Sequence, residues 1–63
     1  MNRTILIYNG DKLVNKLFVY DAGYFHMRYN MMSPGGVCSV IPKSKFLRII
    51  NEAREKGYTI KEA

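Results

Sequence analysis

The chain has 63 residues, 48% of them apolar, and its ten Lys and Arg residues against five Asp and Glu residues give a formal net charge of +5. A chain of this length forms at most one domain, so residues 1–63 are expected to be a single small domain of marginal stability. One cysteine, Cys38, excludes an intramolecular disulfide, and one His with one Cys cannot complete a zinc site within one chain. Oligomerisation remains as a source of stability.

The positive charge favours an acidic partner: an acidic protein, a nucleic acid or a nucleotide. The apolar cluster Ile5–Ile7 is far too short for a signal-peptide core or a membrane span, so no membrane partner is expected. An unpaired cysteine agrees with a reducing compartment. The chain is therefore expected to be a cytoplasmic protein.

A β-hairpin is predicted at the start of the chain. Residues 4–8 are β-branched and aromatic, and Asn9-Gly10 is typical of a two-residue type I′ turn. The return strand would run from Lys12 to Tyr20, with Leu6 opposite Leu13. This register makes both faces apolar: Leu6, Leu13, Leu17 and Val19 on one face, and Ile5, Ile7, Val14, Phe18 and Tyr20 on the other.

Two further strands are predicted after a turn at residues 21–23. Residues 24–32 alternate, and the turn 33–36 and the strand 37–41 follow, with Pro42 ending the strand. The tight turn would place Tyr29 opposite Val40. The alternation predicts a packed face of Phe25, Met27, Tyr29 and Met31, and a polar, solvent-facing side of Tyr24, His26, Arg28 and Asn30.

An amphipathic helix is predicted from about Ser44 to Lys56. Its apolar positions recur at i, i+3, i+4 and i+7, and either Ser44 as N-cap or Pro42 at the first helical position could start it. Gly57 stands where a left-handed C-cap residue is expected. The apolar stripe comprises Phe46, Ile49, Ile50 and Ala53, widened by Leu47, and Thr59 with Ile60 could add a short edge strand.

These elements predict an α+β fold: a small four-stranded antiparallel β-meander followed by one C-terminal amphipathic helix, ββββα, with a possible short final strand. One helix covers one face of a sheet and leaves the other uncovered. Because that uncovered face is expected to be rich in large apolar side chains, the sequence predicts a homodimer or a constitutive partner, bound through the uncovered face or an edge strand.

Three cations crowd the start of the predicted helix: Lys43, Lys45 and Arg48, around Ser44. Helix N-termini carry partial positive charge, so cations are mildly unfavourable there unless an anion binds. The sequence therefore predicts an anion site, unless these are solvated residues of a first turn with Arg48 paired to Glu52.

A second candidate is the predicted polar side of the third strand, where Tyr24, His26 and Arg28 interleave aromatic and basic groups. Sheets that bind single-stranded nucleic acid combine aromatic stacking with cations for the backbone. An ordinary solvent-facing strand is the alternative interpretation.

No catalytic, metal or cofactor site is predicted. His26 and Cys38 could form a thiol–imidazole pair only if they met, and the predicted register separates them and buries Cys38 with Met31. The segment 33–36 is rich in glycine but lacks the Lys-Ser/Thr end of a P-loop.

The first functional hypothesis is a small non-enzymatic intracellular interaction protein, a phage-like inhibitor or regulator that acts as a homodimer on a larger acidic partner. The alternative is a basic nucleic-acid- or nucleotide-binding module that uses the cation cluster at the helix N-terminus. The candidate anion- or nucleic-acid-binding residues are Lys43, Ser44, Lys45, Arg48, Arg28, Tyr24 and His26.

Overall fold

Five antiparallel strands form one sheet, and a single helix packs against one of its faces. The computed structural model describes residues 2–29 and 35–63. The elements are β1 (Arg3–Asn9), β2 (Lys12–Tyr20), β3 (Gly23–Arg28), β4 (Val37–Ile41), α1 (Lys43–Glu55) and β5 (Thr59–Glu62), and the strand order is β4-β3-β2-β1-β5. The predicted α+β fold with a short final strand is confirmed.

The first hairpin exists, but its predicted register is wrong. Asn9 pairs with Lys12, so Gly10 and Asp11 are the central turn residues, and a bulge then places Ile7 opposite Asn15. Gly10 has φ +63°, and no other residue type has positive φ in the described part of the chain. These are the φ signs of a type II′ turn, in which the first central residue alone is left-handed and glycine is favoured.

The new register unites the apolar residues that belong in the core. Ile5 pairs with Leu17 instead of Val14, which places Ile5, Ile7 and Leu17 on one face of the sheet. Ile7 and Leu17 are fully buried. Because side chains alternate faces with a period of two, an odd-numbered shift in pairing joins a different set of side chains on each face. Burial of these three residues favours the observed pairing over the type I′ turn.

The pairing of β3 with β4 also differs from the prediction. Arg28 pairs with Val37 and Tyr24 with Ile41, whereas a tight turn at 33–36 would have paired Tyr29 with Val40. The observed register brings the Ile41 side chain into the core, where it is 5% exposed. The predicted end of the third strand and most of the predicted turn, residues 30–34, lie outside the described residues.

The helix covers one face of the sheet and completes the core. Phe46 and Ala53 are buried, and Ile49 and Ile50 pack beside them, as predicted. Leu47 is exposed, so its predicted place in the apolar stripe is wrong. The buried core comprises Ile5, Ile7, Leu17, Ile41, Phe46 and Ala53.

Both ends of α1 have identifiable caps. Pro42 is the N-cap residue, one position before the first helical turn, and its carbonyl accepts bonds from the N–H groups of Lys45 and Phe46. No side chain caps the helix, so the predicted cap by Ser44 is wrong. At the other end Gly57 has φ +75°, and the Tyr58 N–H donates to the Ala53 carbonyl at 2.9 Å. This is the predicted left-handed glycine cap, in a Schellman motif.

The chain after the cap returns to the sheet as an edge strand. β5 pairs with β1, with Ile60 opposite Ile7. The Arg3 guanidinium donates two bonds to the Glu62 carboxylate, Nε to Oε2 at 3.1 Å and Nη2 to Oε1 at 2.7 Å. This bidentate hydrogen bonding lowers the pKa of Glu62, and the pair fastens the free end of β5 to β1.

Candidate functional site

Among the described residues, no element covers the side of the sheet away from α1, and we call this side the open face. Residues that pair directly across antiparallel strands share a face, so the registers define its members. Its members with side chains are Thr4, Leu6, Tyr8, Leu13, Lys16, Phe18, Tyr20, Phe25, Met27, Cys38, Val40, Thr59 and Lys61. A surface this rich in large apolar side chains on a small protein is a candidate interaction site.

Three aromatic rings form a continuous cluster on the open face. The ring centroids of Phe18 and Tyr20 lie 5.8 Å apart in a stacked arrangement, and those of Tyr20 and Phe25 lie 5.7 Å apart and tilted. Val40, directly opposite Phe25, is 73% exposed. Rings that already pack against one another offer a rigid apolar surface to a partner at low entropic cost.

A lysine lies in the middle of this apolar surface. Lys16 belongs to β2, the central strand, and its neighbours across the sheet are Leu6 and Met27. Its Nζ lies 5.9 Å from the centroid of the Phe18 ring. At the edge, the Nζ of Lys61 lies 5.4 Å from the centroid of the Tyr8 ring. The open-face positions defined above include no Asp or Glu, so the surface combines an apolar body with a positive centre.

The predicted cation cluster lies where the helix begins, but its members do not converge. Lys43, Ser44 and Arg48 are exposed on α1, and the first helical turn holds no acidic residue. Lys45 alone is half-buried, and it lines a cleft of about 310 Å³ together with Arg28 and His26. The structure therefore brings together three of the seven predicted site residues.

The predicted solvent-facing side of the third strand is in fact the helix-covered side. His26 is 5% exposed, and the Tyr24 ring packs on Phe46 with their centroids 4.9 Å apart. Phe25 and Met27, predicted to pack inward, lie on the open face. The alternation was correctly predicted, but β2 determines its direction because Leu17, on the buried face, pairs with His26. His26 is therefore too buried for base stacking, the Tyr24 ring is partly covered by Phe46, and Asn30 lies outside the described residues.

The environment of the buried histidine disfavours its protonated form. Its Nε2 lies 2.6 Å from the Asn15 Oδ1, so Nε2–H donates to the amide oxygen. Burial lowers the pKa of His26, and the positive charges of Arg28 and Lys45 lower it further.

The thiol and the imidazole do not meet. Cys38 lies on the open face opposite Met27, whereas His26 lies on the helix side opposite Ser39. Cys38 is exposed, so the predicted burial of this thiol is wrong. Within residues 2–29 and 35–63, no three His, Cys, Asp or Glu side chains cluster to form a possible metal site.

No family model, curated protein or solved structure matches this chain. Functional inference therefore depends on these surfaces. The sequence signal that could have identified the open face is the alternation of Lys16, Phe18 and Tyr20 with Leu17 and Val19 along β2.

We predict that the protein loses stability as the pH falls from about 6.5 to about 5.5. Because the folded pKa of His26 lies below its ordinary value of 6.5, the unfolded chain takes up the proton first, and stability falls once the pH drops below that value. Urea unfolding across this range measures the effect. His26 is the only histidine, so His26→Gln should remove most of the slope. An equal slope in both proteins would contradict the assignment.

Proposed function

We propose that this chain is a small non-enzymatic interaction protein, an inhibitor or regulator, that covers an acidic surface of a larger protein with its open face. The observation that carries the proposal is Lys16, a cation at the centre of an apolar surface that has no acidic residue. The phage-like origin expected from the sequence stays part of the hypothesis.

The composition of the open face fits a protein partner. Aromatic residues and methionine are enriched at the centres of protein interfaces, and Phe18, Tyr20, Phe25 and Met27 supply both types. If Lys16 were buried at the centre of an interface without a counterion, its ammonium group would lose its hydration and gain no ion pair in return. The partner must therefore present an Asp or Glu to Lys16, with apolar groups around it.

Two other occupants fit this face less well. A second copy of the chain would bring another lysine and no carboxylate, leaving both ammonium groups unpaired. A single-stranded nucleic acid needs a cationic groove that follows its backbone. The open face provides only Lys16 and Lys61, which lie on different strands with Leu6 between them.

For the homodimer, the outer edge of β4 is the better interface. Val37 and Val40 are exposed and none of the strand's five residues is charged, whereas β5 at the opposite edge carries Lys61 and Glu62. Uncharged exposed edges pair readily with other strands, and charged edges resist it. An antiparallel pair of β4 strands would continue the sheet across two copies and leave both open faces free.

One observation supports the alternative, a nucleic-acid- or nucleotide-binding module: the first turn of α1 carries Lys43 and Lys45 and no acidic residue.

As for location, α1 is too short and too polar to cross a membrane, and no other helix occurs among the described residues. We place the protein in the cytoplasm as part of the proposal, because a reducing compartment would keep the exposed Cys38 thiol free.

Charge reversal at Lys16 tests the proposed partner. Immobilised wild-type protein should retain an acidic protein from nuclease-treated extract of the source cells, and Lys16→Glu should abolish this retention because two carboxylates would then face each other. Lys12→Glu is the matched control, since Lys12 is exposed beside the first turn and lies off the open face. It should bind like the wild type.

Quantitative binding of the captured protein provides the measurement. Reversal of a central charge pair should weaken affinity at least about 100-fold, against less than about threefold for the control. Equal loss in both variants, retention by Lys16→Glu, or loss of all binding after nuclease treatment would contradict the proposal.

Sedimentation at several concentrations tests the homodimer. We predict a concentration-dependent dimer for the wild type and a monomer for Val40→Lys, because a lysine on the β4 edge opposes strand pairing. Thr59→Lys places the same residue on the opposite edge and should leave the dimer intact. A wild-type monomer at every concentration, or equal effects of both variants, would count against this interface.

A further inference from the structure

We propose that the cleft between β3, β4 and α1 binds the phosphate monoester group of a small molecule. This cleft lies on the helix side of the sheet, away from the open face, so the inference goes beyond the proposed function and is independent of it.

Two neighbouring cross-strand pairs build the floor and wall of the cleft. His26 lies opposite Ser39, and Arg28 lies opposite Val37, so all four side chains point to the helix side. Lys45, from the first turn of α1, lines the cleft on the helix side. Strands and a helix therefore fix these groups, which places them more firmly than loops would.

The lining is positive and uncompensated. Neither Arg28 nor Lys45 forms an ion pair in the described part of the chain, and no acidic residue lines this cleft. A neighbouring cavity of about 250 Å³ shares His26 and Arg28 but includes Glu52, so its lining has both signs. The lowered pKa of His26 agrees with a positive potential here, because both cations contribute to it.

The donor set matches a phosphate dianion. A guanidinium presents a planar fork for two oxygens, an ammonium supplies a point charge, and the Ser39 hydroxyl supplies a third donor. Two unpaired cations balance two negative charges, whereas a carboxylate would neutralise only one. Asn15 accepts the Nε2–H of His26, so this N–H is not free for the ligand, and burial, which lowers the pKa of His26, disfavours a further positive charge there.

The size of the cleft limits the ligand. Its volume of about 310 Å³ lies at the lower end of the range for small-molecule sites, roughly 300 to 1,000 Å³. A phosphorylated metabolite or a mononucleotide fits this scale. The same phosphate chemistry also occurs at the 5′ end of an oligonucleotide, so the experiment must separate the two sources.

NMR titration of the ¹⁵N-labelled full chain tests the site. Inorganic phosphate and AMP should give saturable shifts at the amides of Arg28, Ser39 and Lys45, and adenosine should give none. Arg28→Gln and Lys45→Gln should each raise the Kd for AMP at least about tenfold, since each removes a charged hydrogen bond. Arg28→Lys, which keeps the charge and loses the fork, should have an intermediate effect.

Arg54→Gln is the matched control, because it removes one positive charge from the exposed last turn of α1. It should change the Kd less than about twofold. Lys16→Glu should leave phosphate binding unchanged, so failure of this site and failure of the open face can be told apart.

A 5′-phosphorylated and a 5′-hydroxyl oligonucleotide identify the source of the phosphate. Similar or weaker binding of the phosphorylated strand than of AMP would support a small molecule as the ligand, and tighter binding would overturn that assignment in favour of a nucleic-acid end. No saturation by AMP at concentrations well above about 1 mM, equal weakening by Arg54→Gln, or equal binding of adenosine would overturn the phosphate site itself.

Discussion

The pairing of Ile5 with Leu17 determines most of this structure. It places Ile5, Ile7 and Leu17 on one face, and Ile7 and Leu17 become fully buried there under the helix. Successive side chains of a strand point to opposite faces of the sheet. This one pairing therefore also decides which side of β3 and β4 the helix covers. The burial of His26, the exposure of Cys38 and the central position of Lys16 all follow from it.

The two sides of the sheet then present different chemistry. The open face is apolar around a central lysine, Lys16, with Lys61 at its edge, and we propose that it suits a protein surface with a carboxylate at its centre. The helix side ends in a cleft where Arg28 and Lys45 face the same space without acidic partners. A chain of 63 residues thus has two surfaces of different chemistry, because one helix covers only part of a five-stranded sheet.

The sequence predicted the type and order of the elements and the antiparallel meander of the first four strands, but not the registers of β1 with β2 and of β3 with β4. Periodicity identified α1, and Gly57 correctly marked its end, because a left-handed position has few other occupants. The predicted register of the first hairpin was wrong because the turn is displaced by one residue to Gly10-Asp11 and a bulge follows at Ile7. Neither feature has a strong local signal. The candidate site therefore differs from the predicted one. Tyr24 and His26 lie on the helix side of the sheet, whereas Arg28 and Lys45, which are far apart in sequence, line one cleft because the fold places the start of α1 beside β3.

The assignment of the two faces is the claim that everything else requires. Relaxation of side-chain NMR signals by a soluble gadolinium chelate measures it directly, without any substitution. The Val40 methyl groups and the Tyr20 ring should relax strongly, and the Leu17 methyl groups and the His26 ring should be protected. Strong relaxation of His26 with protection of Tyr20 would show that the helix covers the other side of the sheet, and would contradict both proposed sites.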